Sequence, residues 1–305
     1  MRNRNTWFSG LSAAALFFTV LFVPLGSAKE NSLPTAGESI GAELTRHVRT
    51  LAADDMTGRG VETPGIEKAR DYIAAEFKKY GLAAGGEQGY FQRLEVTTGV
   101  ETAGQNDARL GDTERLLGSD WTPLGFSASG NAAGEILFAG YGITAAGYDY
   151  DDYAGTDPKG KIVLVLRYEP PAKGENSPFG KTPRSSRYAA LSAKAANARA
   201  HGAAGLMLID LSSDTGTAEL IPLRRTMGHS EDGLIAVQAR RAAVERTLSA
   251  AGVSLTDLKA RIDAEEKPHS LAIPTVRAAL TVNLKKVMQP SDNVVAVLPG
   301  TDTSL

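Results

Sequence analysis

Apolar side chains recur at helical spacing at Ile40, Leu44, Val48 and Leu51, which predicts a helix over that stretch. The turn formers of Asp54-Asp55-Met56-Thr57-Gly58-Arg59-Gly60 end it. A second helix follows, with Thr63 as N-cap, Pro64 at the first helical position and Gly81 just past the end. Ile66, Ala69, Ile73 and Phe77 make its apolar stripe, while Glu67, Lys68, Glu76 and Lys78 face water. Tyr90 to Val96 reads as a strand, and the polar, Gly-rich residues 98 to 115 read as a crossing segment.

The texture changes from about Leu116. Strand signals recur at 135–139, 162–166, 206–209 and 234–237. Helical signals fall between and after them: Tyr188 to Ala200 before Gly202, Ala239 to Ala251 before Gly252, and Leu255 to Ile262, opened by Ser254 with Asp257 as capping partner. Together they predict a mixed α/β unit of ordinary domain size. After Pro274, Val276, Ala278, Leu280, Val282 and Leu284 alternate strictly, the mark of a half-buried strand. Pro290-Ser291-Asp292 reads as a turn. The continuous apolar run Asn293 to Leu298 predicts a strand buried on both faces of a larger sheet.

The first residues carry a different message. Arg2 and Arg4 precede an apolar run from Leu11 to Val23, and Gly26-Ser27-Ala28 supplies small residues for cleavage. That order predicts a secretory signal peptide over residues 1–28. The run falls short of the roughly 20 apolar residues a membrane span needs, which disfavours a retained anchor. The expected location is the periplasm or the exterior, with no membrane attachment after cleavage.

Composition narrows the function classes. Hydrophobic content of 42% with 22% charged residues fits a folded globular chain. A net charge of -2 lacks the basic excess that nucleic-acid binding requires. With no Cys, disulfides, thiolate metal sites and cysteine nucleophiles are excluded.

Candidate chemistry is thin. Gly174 to Gly180-Lys181-Thr182 approaches a phosphate loop, but five residues separate its glycines where four are needed. Gly140-Tyr141-Gly142 lacks the third glycine of a dinucleotide fingerprint, and Gly125-Phe126-Ser127 lacks the glycine of a nucleophile elbow. All three read as turns. The histidines are His47, His201, His229 and His269, none paired at metal-binding spacing. His229-Ser230-Glu231-Asp232 is a local His/carboxylate cluster, read as a solvated loop against the alternative of a metal site. Asp149-Tyr150-Asp151-Asp152 lacks the spacing of a calcium loop and reads as a surface turn. Arg59 could pair with an upstream carboxylate and pin its loop, or lie in solvent.

The order of segments nevertheless resembles a known family. Leu51-Ala-Ala-Asp54-Asp55-Met56-Thr57-Gly58-Arg59-Gly60, Thr63-Pro64-Gly65 and Tyr72-Ile73 through Phe77 to Tyr80-Gly81-Leu82 look like the opening of the exported two-zinc aminopeptidases. Tyr90-Phe91-Gln92 entering a strand fits the same pattern. Gly160-Lys161-Ile162-Val163-Leu164-Val165 and Lys194-Ala195-Ala196 through Ala198 to Gly202-Ala203 and Gly205 are similar to the protease-associated domain inserted in such enzymes. Asn293 to Gly300 resembles the strand by which the chain re-enters the peptidase domain.

The resemblance implies an α/β fold. Residues 29–115 would supply the N-terminal helices and first strand, 116–275 the protease-associated domain, and 276–305 the returning strands of the peptidase sheet. It also implies that the His-x-Asp pair, the bridging Asp, the catalytic Glu and the other zinc ligands lie beyond Leu305. No catalytic, cofactor-binding or metal residue is therefore carried onto this chain, and zinc belongs to the complete enzyme. Two expectations remain. One is the N-terminal, inactive part of a zinc aminopeptidase. The other is an exported binding module that contacts peptides or proteins through the protease-associated domain.

Overall fold

A computed structural model describes residues 40–182, 186–212, 219–223 and 233–300. The predicted signal peptide and the His229–Asp232 cluster lie outside the described residues. The chain forms two compact units. One runs through Leu94 and resumes at Asp292, and the other comprises Glu95–Ser291.

The first unit opens with α1 (Ile40–Leu51) and α2 (Pro64–Lys79), joined by a 3-10 segment, Asp54–Arg59. No residue of α1 is buried, and its stripe of Ile40, Leu44 and Val48 is exposed. Its attachment to α2 is polar instead. Arg46 grips Glu76 through both guanidinium nitrogens, at 2.8 and 3.0 Å. That pairing holds Glu76 down to about 2, so the residue expected to face water is an interhelical anion. Arg46 also donates to the Tyr72 hydroxyl, and His47 meets Tyr72 through Nδ1 at 2.7 Å and Tyr80 through Nε2 at 3.2 Å. Tyr80 donates its own proton to Glu43.

The pairing considered for Arg59 does not form. Thr57, Gly58 and Arg59 are all left-handed, and Lys68 of α2 takes Asp55 at 3.2 Å. Thr63 occupies the N-cap position of α2 without a side-chain cap, because its hydroxyl donates to the Gly60 carbonyl.

After β1 (Ala83–Ala84) and β2 (Phe91–Thr102), the segment read as a crossing region forms two further strands, β3 (Asp107–Leu110) and β4 (Thr113–Arg115). There follow β5 (Trp121–Pro123), β6 (Gly130–Phe138), β7 (Thr144–Ala145), β8 (Tyr150–Asp151), β9 (Ile162–Leu166), α3 (Leu191–Ala200), β10 (Gly205–Ile209) and β11 (Ile235–Ala239). The chain continues through α4 (Arg241–Ala250), α5 (Leu255–Glu265), β12 (Leu271–Val282), β13 (Leu284–Val294) and β14 (Ala296–Val297).

An eight-stranded sheet in the order β4-β3-β12-β6-β9-β10-β11-β5 organises the second unit. Strands β6, β9, β10 and β11 are mutually parallel, and antiparallel strands flank them on both sides. Every residue of β9, β10 and β11 is buried, as expected of parallel strands with helices on both faces. One face packs Ile162, Leu164, Met207, Ile209 and Val237 with Val244, Leu248 and Ile262 of α4 and α5. The other packs Val163, Val165, Leu206 and Leu208 with Ala195 and Ala198 of α3. Gly205 faces its register partner on the neighbouring strand closely: a Cβ there would come within 2.9 Å of the Ile162 side chain.

The returning segment differs from its reading in two ways. Pro290 to Asp292 lies within β13 rather than in a turn, and Asp292 receives Arg70 at 2.7 Å and Arg93 at 3.1 Å. Among the described residues the apolar run to Leu298 enters no large sheet. Strand β14 pairs with the two residues of β1, and Val297 is 48% and Leu298 78% exposed.

Leu208 is fully buried between strands and α3. Leu208→Ala is expected to cost about 2–5 kcal/mol of stability, read from urea unfolding followed by circular dichroism.

Candidate functional site at the carboxyl edge of the parallel strands

With both faces of the parallel strands apolar, polar groups of the second unit gather where those strands end. The carboxyl ends of strands are also where open α/β sheets place ligands. Beyond β6 the chain turns at Gly140–Ile143, with Gly140 at φ 47° and Gly142 at φ 69°. A side chain at Gly140 would collide with the Asp152 carboxylate. Asp152 is fully buried rather than on a surface turn. Its Oδ2 accepts the backbone N–H groups of Tyr141 at 3.1 Å and Ile143 at 3.0 Å, and Tyr150 donates its hydroxyl to Oδ1 at 3.0 Å.

Lys194 grips the same turn from α3. Its ammonium is 1% exposed, donates to the Tyr141 carbonyl and lies over the Tyr141 ring. Asn197, one helical turn on, donates to the Gly142 carbonyl at 3.0 Å. The turn is thus held by its N–H groups through Asp152 and by its carbonyls through Lys194 and Asn197. Burial pushes Asp152 up to about 7, against the pull of Ile143 N–H, Tyr150, Lys194 and Tyr141. Burial likewise pushes Lys194 down to about 7, against the fields of Asp152 and Glu169. Burial is also the main cause that raises the Tyr141 and Tyr150 phenols above their usual range.

A second buried carboxylate serves the loop after β9. Glu169 is 2% exposed and accepts the N–H groups of Gly180 at 3.3 Å and Ser186 at 3.0 Å, together with the Ser186 hydroxyl. Ser186 Oγ in turn accepts Tyr188 N–H at 3.1 Å and caps the 3-10 turn Arg187–Ala189. At the ends of β9 and β10, Arg167 donates to Asp210 at 2.8 Å. Burial pushes Asp210 up, but Ser212 and Arg167 overcome it and hold the carboxyl below its ordinary range.

Asp152, Lys194 and Glu169 are too enclosed to touch a ligand. Their chemistry is that of positioning residues. Asp152 and Lys194 fix the Gly140–Ile143 turn, and Glu169, through Ser186, fixes the turn that carries the exposed Arg187 and the half-buried Tyr188.

The motifs weighed in the sequence serve structure. Ser127 is buried, donates to the Ala128 carbonyl and accepts Ala236 N–H at 2.9 Å. The Gly174–Thr182 stretch contributes a buried Phe179 and the Gly180 N–H bound by Glu169. His201 stacks on Tyr153 at 4.2 Å and meets the Asn197 carbonyl, while His269 faces Glu265 at 3.0 Å. With His47 held between two tyrosines, these rings are engaged elsewhere. Among the described residues no group of three or more His, Cys, Asp or Glu side chains could hold a metal ion. They do not fit a zinc centre. Among the described residues, too, no helix is long and apolar enough to cross a membrane.

Glu169 is not singled out in the sequence, and Asp152 and Lys194 enter it only within an acidic turn and a family motif, without a buried role. Lys194 left a signal, a charge at a position of α3 that shares its inward face with Ala195 and Ala198.

No protein-family model and no curated protein matches the chain. Among solved structures it is similar to an aminopeptidase from Aneurinibacillus sp. strain AM-1, at 18% identity and a TM-score of 0.42, over 85% of this chain and 50% of that one. A zinc aminopeptidase from Bacillus subtilis is similar at 17% identity and a TM-score of 0.34, over 85% and 47%. A subtilisin-like protease from the Antarctic psychrotroph Pseudoalteromonas sp. AS-11 is similar at 14% identity and a TM-score of 0.32, over 68% and 38%. The chain spans about half the length of the aminopeptidase structures it matches.

Lys194 gives the site a pH signature. Its folded pKa lies below the unfolded value of 10.5, so between about 7 and that value the unfolded chain holds the proton more tightly. Stability gains from this group as pH rises through that window. Lys194→Met is expected to remove that gain, seen as a smaller difference between unfolding free energies at pH 9 and pH 7 than in the parent chain.

Proposed function

We propose that this chain is the N-terminal, non-catalytic part of an exported two-zinc aminopeptidase, with its second unit acting as a protease-associated domain. The observation that carries the reading is the insertion topology. The chain leaves one unit at Leu94 and rejoins it at Asp292, where Arg70 and Arg93 grip the returning carboxylate. An inserted domain is what the order of sequence motifs implies. The mixed α/β fold of the second unit, with helices on both faces of its parallel strands, supports it as well.

The described residues supply no zinc ligands, so the hydrolytic step of such an enzyme is assigned to none of them. Zinc in the whole enzyme would polarise the scissile carbonyl and supply the hydroxide. The inserted unit would contact peptides or proteins. That role is shared with the second reading, an exported binding module without peptidase chemistry, which the buried scaffolding beneath Arg187 and Tyr188 favours. Export rests on the predicted signal at residues 1–28, and neither reading involves nucleic acid.

Residues 29–305, purified and supplied with zinc, are expected to leave aminoacyl reporter substrates unhydrolysed relative to buffer. Zinc-dependent, chelator-sensitive turnover would contradict the proposal and direct attention to His229, Glu231 and Asp232.

A further inference from the structure

Arg187 is exposed, and its guanidinium lies over the Tyr188 ring at 5.0 Å while donating to the Tyr188 hydroxyl at 3.1 Å. Among the described residues it meets no carboxylate. The Tyr188 ring is fixed from below by the buried Phe179, edge to face at 6.2 Å, and Phe179 rests on Tyr150 at 4.9 Å. Ser186, the residue before Arg187, is bolted to Glu169 by two hydrogen bonds. An exposed cation stacked on one tyrosine therefore stands on a base of buried, hydrogen-bonded groups.

That construction is costly unless the presented face matters. Burying a carboxylate such as Glu169 is unfavourable even when its oxygens are satisfied. Its visible effect here is to fix the turn that carries Arg187. A guanidinium with free N–H groups in a rigid fork matches a carboxylate, and Tyr and Arg are the side chains that dominate binding energy at interfaces.

We propose that Arg187, with Tyr188, forms the carboxylate-recognising face through which the second unit binds acidic peptide segments. The inference rests on the reading that this unit contacts peptides, and it names the residues and the chemistry. Arg187 takes the carboxylate, the Tyr188 ring covers the neighbouring apolar side chain, and Glu169 acts as a positioning residue.

The test uses isotopically labelled residues 29–305 and an acetylated, amidated hexapeptide bearing two Glu and one Phe, with the Gln counterpart as control. The acidic peptide is expected to shift the amides of Arg187 and Tyr188, and to bind at least tenfold more tightly than the Gln peptide at low salt. Arg187→Gln should lower that affinity at least tenfold with an unchanged melting temperature, and Glu169→Gln should weaken it while broadening the Arg187 amide. If the acidic peptide binds and Arg187→Gln has no effect, the peptide-contact reading stands and this face is the wrong one. If neither peptide binds, both fall.

Discussion

Strands β9, β10 and β11 have no polar face. Their side chains alternate between two apolar layers, one closed by α4 and α5 and the other by α3. A sheet of this kind offers polar groups few places, chiefly where strands end and the backbone turns. That constraint explains why Asp152, Glu169, Lys194, Arg167 and Asp210 cluster at one edge. Each side chain reaches backbone or side-chain partners that the ladder leaves unpaired once a strand stops.

The cluster is organised around turns rather than around a ligand. The Gly140–Ile143 turn is held from its N–H side by Asp152 and from its carbonyl side by Lys194 and Asn197. The loop after β9 is held through Glu169 at Gly180 and Ser186. Lys194 is bound to neither carboxylate directly, yet it feels the charge of both. Lys194 is the cation that both carboxylates share, so neutralising it leaves Asp152 and Glu169 enclosed without that counter-charge. The first unit relies on polar contacts as well. Its opening helix has no buried residue and is held to α2 through Arg46, His47 and Glu43.

Much of the architecture was legible in the residue pattern. Helix α1 and strand β9 occupy the stretches their apolar spacing predicts, and Ser254 caps α5 as expected. The failures have a common cause, since they depend on partners that local pattern does not contain. Strands β3 and β4 are short, with Ala108 and Leu110 the buried residues of β3, and β12 offers β3 the edge it pairs with. The run from Asn293 to Leu298 is apolar enough for a central strand, but composition does not reveal that it divides between the end of β13, which pairs with β2, and the two-residue β14, which pairs with Ala83–Ala84. Asp152 reads as one more carboxylate in an acidic turn. Its burial is decided by two N–H groups from the turn after β6, which only the fold brings to it.

The central claim is that buried charges hold the carboxyl-edge turns rigid. Native-state hydrogen exchange tests it most directly, at the amides of Tyr141, Ile143 and Ser186, whose N–H groups point at Asp152 and Glu169. The account predicts that these amides exchange nearly as slowly as those of β9 and open only with the second unit as a whole. Exchange at the rate of an exposed loop, while β9 stays protected, would contradict it.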